Sequence, residues 1–377
     1  MRSPNIRYLP AVDHLRAYAA LLIVFYHGLH VFSYHARFHK EFGPDHWLQP
    51  SNPLLAALAE GHTAVALFMV LSGFILTLGA LDGAIDAWGF IRNRLLRTYP
   101  LFLLLVFAGI AAFPDRFTWA GLLQTAGGFG NLPGALVTPP FSSMLWTIAV
   151  EWQFYLVFPL LVPVLRSAWT RQVLGLIAVL LLFRGVAVLA GGNARDIGYT
   201  TILGRLDQFL IGMWAAWAFR TWPLSRRTGA LLASVALVMA VVALALFNAA
   251  GGWPATPAWK LAWPTLEALL WAAFVIGYVG AANAASGLWS RLVARIGEIS
   301  YSIYLVHFIV IWLLVRYDLA FAFSGRFVID AVLETALVAL PSILVIASLT
   351  YRFVELPFLR LRGRYHRDDA LGPVPAA

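Results

Sequence analysis

Stretches of about 20 almost uncharged residues, the length that carries a helix across ~30 Å of hydrocarbon, recur along the whole chain. They fall at roughly 13–33, 63–81, 96–113, 143–165, 171–190, 201–219, 228–247, 262–282, 299–316 and 329–350. Lipid offers no partner to a bare peptide group, so such segments must run as helices. The expectation is an all-α integral membrane protein, a polytopic bundle of about 10 transmembrane helices. Charged residues are only 12% of the chain, against roughly 25% in a soluble domain. That is too little to cover a soluble surface, which excludes a soluble enzyme and a disordered chain. The net charge of +9 is carried mostly by Arg scattered between apolar spans, so no single basic face offers itself to nucleic acid. With no Cys, disulfides, thiolate metal sites and a Cys nucleophile are all ruled out.

Neither an internal repeat nor a separate soluble domain interrupts the pattern. Residues 1–360 read as one membrane domain and 361–377 as a short cytoplasmic tail, disordered from Asp368 to Ala377. The first span carries Arg16 and His27 and no small-residue cleavage site, so it is not a cleaved signal peptide. Placing the N-terminus inside puts Arg2, Arg7, Arg92, Arg94, Arg97, Arg226, Arg227, Arg291, Arg295 and the Arg-rich tail on the cytoplasmic side. The outer loops keep only a few cations, such as Arg37, Lys40, Arg195 and Lys260. This bias predicts both termini in the cytoplasm.

An ionisable side chain at membrane depth costs about 2.5 kcal/mol or more on insertion scales, so each one calls for a partner, a wet cavity or a function. His27, Glu151, Arg184, Arg205, Asp207, Glu267, Asp330 and Glu334 fall in outer halves of their spans and His307 near the middle of its own. This predicts a polar cavity toward the outside, with Arg16, Arg94 and Arg97 at the cytoplasmic mouth. Asp330, Glu334 and Arg184 also fit local pairing. Arg16 and His27 are eleven residues apart, on nearly one helix face and separated by about 16 Å. One elongated ligand with an anionic end and a reactive end, such as an acyl-CoA thioester, could touch both. Alternatively Arg16 snorkels to headgroups beside Asp13, and His27 is a satisfied core histidine.

The chain opens with Leu9-Pro10-Ala11-Val12-Asp13-His14-Leu15-Arg16-Ala17 followed by Tyr26-His27. Phe68-Met69-Val70-Leu71-Ser72-Gly73-Phe74, the Arg92–Pro100 stretch, the Leu145–Pro159 stretch with Glu151 and Tyr155, and Gly297–His307 follow. In these motifs and their order the chain resembles the acyltransferase 3 family of integral membrane O-acyltransferases, the first motif being similar to that family's first helix. Thr147, Trp152 and Leu356 depart from the residues common there. Longer members carry a C-terminal hydrolase-like domain, and this chain ends before one, so it is expected to act alone or with separate partners. The resemblance implies transfer of an acyl group, acetyl in the simplest case, from cytoplasmic acyl-CoA to a hydroxyl of a carbohydrate or related envelope acceptor.

That chemistry assigns candidate roles. A hydroxyl needs a base, and a neutral imidazole suits the task. His27 is the candidate, whether it deprotonates the acceptor or is acylated first. Glu151 could orient His27 or bind the acceptor. Ser72, Tyr155, Tyr301 and His307 are possible donors to the tetrahedral oxyanion, though each could equally pack between helices. Arg16, Arg94 and Arg97, with Asp13 beside Arg16, suit CoA phosphates, or serve as cytoplasmic anchors to lipid phosphate. His30, His35, His39, His46 and His62 complete no ligand set, so no metal and no bound cofactor are expected. Trp146, Trp152, Trp47 and Trp253 could stack on a sugar ring. A transporter exporting a glycan or acylated metabolite is the competing reading, against which stands the lack of an inverted repeat. The expected location is the bacterial inner membrane.

Overall fold

A computed structural model describes residues 5, 8–81, 83–282 and 287–367. The long helices, in order, are α1 (Pro10–Phe38), α2 (Thr63–Ala80), α3 (Ala87–Ala112), α4 (Leu145–Arg166), α5 (Trp169–Leu189), α6 (Ile202–Thr221), α7 (Arg226–Ala249), α8 (Trp263–Ala282), α9 (Leu288–Glu298), α10 (Ser300–Arg316) and α11 (Phe327–Leu359). The chain is therefore an all-α polytopic membrane protein. Every predicted apolar stretch falls on a helix. Among the described residues eight helices are each long and apolar enough to cross a membrane, and up to nine spans result if α9 and α10, bent by 66°, count as one. Helix α6, which carries Arg205 and Asp207, is not among them.

Helix starts follow local chemistry. Pro10 opens α1 where its missing N–H is not needed. The side chains of Asp86, Thr201 and Ser225 accept the otherwise unpaired amides of Gly89, Gly204 and Thr228 at the heads of α3, α6 and α7. Two π-helical stretches, Thr335–Ala339 and Tyr351–Glu355, interrupt α11.

Burial sorts the helices. The apolar window of α2 is 83% buried and that of α5 only 22%, so α2 is central while α5 shows Leu182, Phe183, Val186 and Leu189 to lipid. Lipid tails are as apolar as Leu, so close packing rather than a hydrophobic drive holds such helices together. Gly73 of α2 and Gly212 of α6 provide it: a Cβ on either would run into the backbone carbonyl of Phe209 or Val70. Gly297 meets the Asp13 carbonyl in the same way where α9 crosses α1. Gly212→Val should force α2 from α6 at a cost of about 1–3 kcal/mol, read as a lower midpoint of thermal loss of monodisperse protein in detergent. An unchanged midpoint would show that this crossing is slack.

The two ends of the described chain meet. Asn5 donates to the Gly363 carbonyl (2.9 Å) and accepts from the Tyr365 amide (2.9 Å), while Asn93 of α3 donates to Gly363 (2.7 Å). An antiparallel pair, Ala84–Ile85 with His366–Arg367, closes the same corner. Residues 361–365 are thus pinned at the head of α3. Asp368–Ala377, and Arg2 and Arg7 of the cytoplasmic cation set, lie outside the described residues.

Candidate active site

A cavity of about 860 Å³, its mouth included, opens between α1, α2, α3, α4, α6 and α10. Arg16, Ser72, Arg94, Arg97, Glu151, Tyr155 and Tyr301 line it. Residues drawn from five sequence motifs thus share one wall. Asp13 is held to it through Arg16, 3.2 Å away. His27 and His307 are not on this wall; they pair with each other beside it, and the Tyr304 ring, which does line the cavity, is 5.8 Å from that of His307.

Glu151 sits one turn before Tyr155 on α4, so both face the same way. Its Oε1 accepts from Ser72 Oγ (2.9 Å) and from the Tyr155 hydroxyl (2.5 Å). It makes no hydrogen bond to His27, so the orienting role considered for it falls in this structure to His307. Glu151 instead fixes two hydroxyls on the cavity wall.

The histidine pair defines its own tautomers. Carbonyl oxygens can only accept, and His307 Nδ1 is 2.6 Å from the Tyr304 carbonyl and 3.2 Å from that of Ile303. The His307 proton therefore sits on Nδ1, and Nε2 presents a lone pair. His27 Nδ1 lies 2.9 Å from that Nε2 and 3.2 Å from the Ile23 carbonyl, two acceptors, so it carries the His27 proton. The remaining nitrogen, His27 Nε2, is left with a lone pair and no hydrogen bond among the described residues, on a half-buried ring. The arrangement leaves that nitrogen free to accept a proton.

The three arginines differ. Arg97 is ion-paired to the buried Glu355 at 2.8 Å, and Glu355 also accepts from Ser302. Arg94 stands 5.6 Å from the Phe90 and Tyr155 ring centres and forms no ion pair among the described residues; its buried Nε lacks a partner. No carboxylate among the described residues pairs with its charge. Sequence assigns no role to Ser302, Thr98 and Tyr304, and Glu355 enters only as the position before Leu356 where the family carries a Glu. A carboxylate just past the last predicted apolar stretch, in a helix that continues through it, is the further signal for Glu355.

Deeper charges are consumed in structure. Arg184 and Asp207 are fully buried and paired at 2.8 Å, with Arg184 also donating to the Leu203 and Leu261 carbonyls. Asp330 accepts from Ser324 and Glu334 from the Phe321 amide, a local use of both. The loop histidines disperse among separate partners, His35 to Asp318, His46 to Asp45 and His62 to Glu60. Among the described residues no group of three or more His, Asp or Glu is placed to hold a metal ion.

Comparison with known proteins finds relatives along nearly the whole chain. A family model described as an acyltransferase domain matches residues 9–351. The acyltransferase MdmB of Streptomyces mycarofaciens is 27% identical, covering 99% of this chain and 97% of that protein. The O-acetyltransferase OatA of Staphylococcus aureus is 25% identical over 96% of this chain, which spans 58% of its length. No solved structure matches.

Proposed function

We propose that this chain, which belongs to the acyltransferase 3 family, moves an acyl group from acyl-CoA at the cytoplasmic face of a bacterial inner membrane to a hydroxyl of a carbohydrate or related envelope acceptor. The observation that carries the mechanism is the free lone pair on His27 Nε2, fixed by the bond from Nδ1 to His307. The acceptor hydroxyl gives its proton to Nε2 as its oxygen attacks the thioester carbonyl. The tetrahedral oxyanion collapses, the C–S bond breaks, and the leaving thiolate takes the proton back from the imidazolium. An ester and a free CoA thiol result. His307 is a positioning residue: it holds the reactive tautomer and accepts the Nδ1–H of the imidazolium as it forms. The Ser72 and Tyr155 hydroxyls, set by Glu151, shape the donor cavity, and both chain ends are read as cytoplasmic.

Arg94 supplies the charge for the CoA phosphates. Arg94→Gln should raise the donor KM about tenfold or more, the worth of one charge-assisted contact, and leave kcat within a small factor; an unchanged donor KM removes Arg94 from the donor site. The function itself is tested by adding radiolabelled acetyl-CoA to inverted membrane vesicles from expressing cells. The expected product is alkali-labile, ester-linked label that vesicles without the chain do not form. Label that enters vesicles but stays unesterified would instead describe a transporter.

A further inference from the structure

We infer that a second cavity, one aromatic ring away from the histidine pair, is the acceptor site and takes one neutral, hydroxyl-rich ring. The inference rests on the transferase reading above for its role, and on the geometry of the cavity for its ligand. The space, about 320 Å³, lies between the head of α2, the connection before α6, and the Trp253–Trp263 region leading into α8. That figure includes the mouth and the enclosed part is small, so it would take the edge of a single ring and not a long chain.

Five of the residues lining it leave a buried polar atom without a partner among the described residues: His62 Nδ1, Arg205 Nη2, Trp253 Nε1, Trp263 Nε1 and Glu267 Oε1. His62, Arg205 and Glu267 are each more than nine-tenths buried. Left unmet, such atoms are expensive, and their concentration at one cavity calls for something that meets them. Their chemistry says what. Trp253, Trp263 and Arg205 offer donors. Glu267 offers an acceptor, and so does His62, because its Nε2–H is used on Glu60 at 3.0 Å. A hydroxyl both donates and accepts, so several on one ring match this alternation. A phosphate would meet the Glu267 carboxylate, and an ammonium group would meet Arg205, which lies 3.7 Å from Glu267.

Lys260 keeps the site in shape. Its ammonium donates to the carbonyls of Gly252 (2.5 Å), Trp253 (3.0 Å) and Ala255 (2.5 Å), using all three protons to hold the loop that carries Trp253. The position relative to the chemistry is the second argument. The Tyr26 ring is 4.6 Å from that of His27 and 6.0 Å from that of His62, while Tyr304 of the donor cavity is 5.8 Å from His307. One aromatic ring therefore lies between the histidine pair and each cavity, so both cavities are next to the pair.

The test uses the full chain in detergent and two conservative variants, Trp253→Phe and Trp263→Phe, which remove an N–H and keep a ring. Methyl hexopyranosides serve as the probe. In direct equilibrium binding, without any donor, the native chain should bind at least one of them saturably, with about fivefold weaker affinity in each variant, the worth of one neutral hydrogen bond. In the transfer assay the same variants should raise the acceptor KM by that factor and leave the donor KM unchanged, the reverse of Arg94→Gln. Absence of saturable binding to the native chain, or equal affinity in all three proteins, overturns the acceptor site. Binding that follows the expected pattern without any acyl transfer would keep the site and instead overturn the acyl-CoA reading.

Discussion

Asp207→Ala should destabilise the fold by about 3–5 kcal/mol, the cost of leaving a buried charge without its partner. Arg184 and Asp207 have no solvent exposure, and the aspartate also accepts from Thr265 Oγ1 at 2.5 Å and from the Gln208 amide at 2.9 Å. Without the carboxylate, the Arg184 guanidinium keeps only neutral acceptors, the Leu203 and Leu261 carbonyls and the Thr265 hydroxyl, in a site closed to water. The expected result is loss of most folded, monodisperse protein from detergent extracts at growth temperature. The double change Arg184→Leu with Asp207→Leu removes both charges and should recover part of that loss, because an apolar pair in place of an ion pair is often neutral. If Asp207→Ala extracts and melts like the native chain, the pair is not holding α5 to α6.

His27→Ala should lower acyl transfer by about 10²- to 10⁴-fold, the usual contribution of a positioned general base. The ring is half-buried, so its truncation should cost the fold far less than it costs the chemistry. His307→Ala should be milder, because His27 keeps a second acceptor for its Nδ1–H in the Ile23 carbonyl at 3.2 Å. His307→Gln, which retains an acceptor, should recover more activity than His307→Ala. The two changes at His27 and His307 should also be strongly non-additive, since the second has nothing to position once His27 is gone. Additive losses would mean that His307 acts on the substrate by itself.

Much of the architecture was legible because the bilayer imposes it. An apolar run of the right length has only the helix available, and all the predicted runs are helical. Sequence could not show that α9 and α10 bend at Ile299, since the apolar run of α10 carries no break of its own. Nor could it show which glycines are contacts: Gly73 and Gly212 matter because two backbones cross there, while Gly175 and Gly185 meet nothing nearby. In the site, the family resemblance and the depth of charged residues brought Arg16, Ser72, Arg94, Arg97, Glu151, Tyr155 and Tyr301 into the candidate set, and the fold places them on one wall. Spacing along α1 could not reveal that His27 faces His307 rather than Glu151, because that partner comes from a helix 280 residues away. The second cavity was invisible for the same reason. Its unpaired atoms come from α2, α6, α8 and a loop, and only the fold shows that they share one space.

If His27 Nε2 takes the proton of the acceptor hydroxyl, ester-linked label from acetyl-CoA should accumulate steadily in membranes holding the native chain and at least about a hundredfold more slowly in membranes holding a matched amount of His27→Ala. Equal rates from the two proteins would show that His27 is not the base.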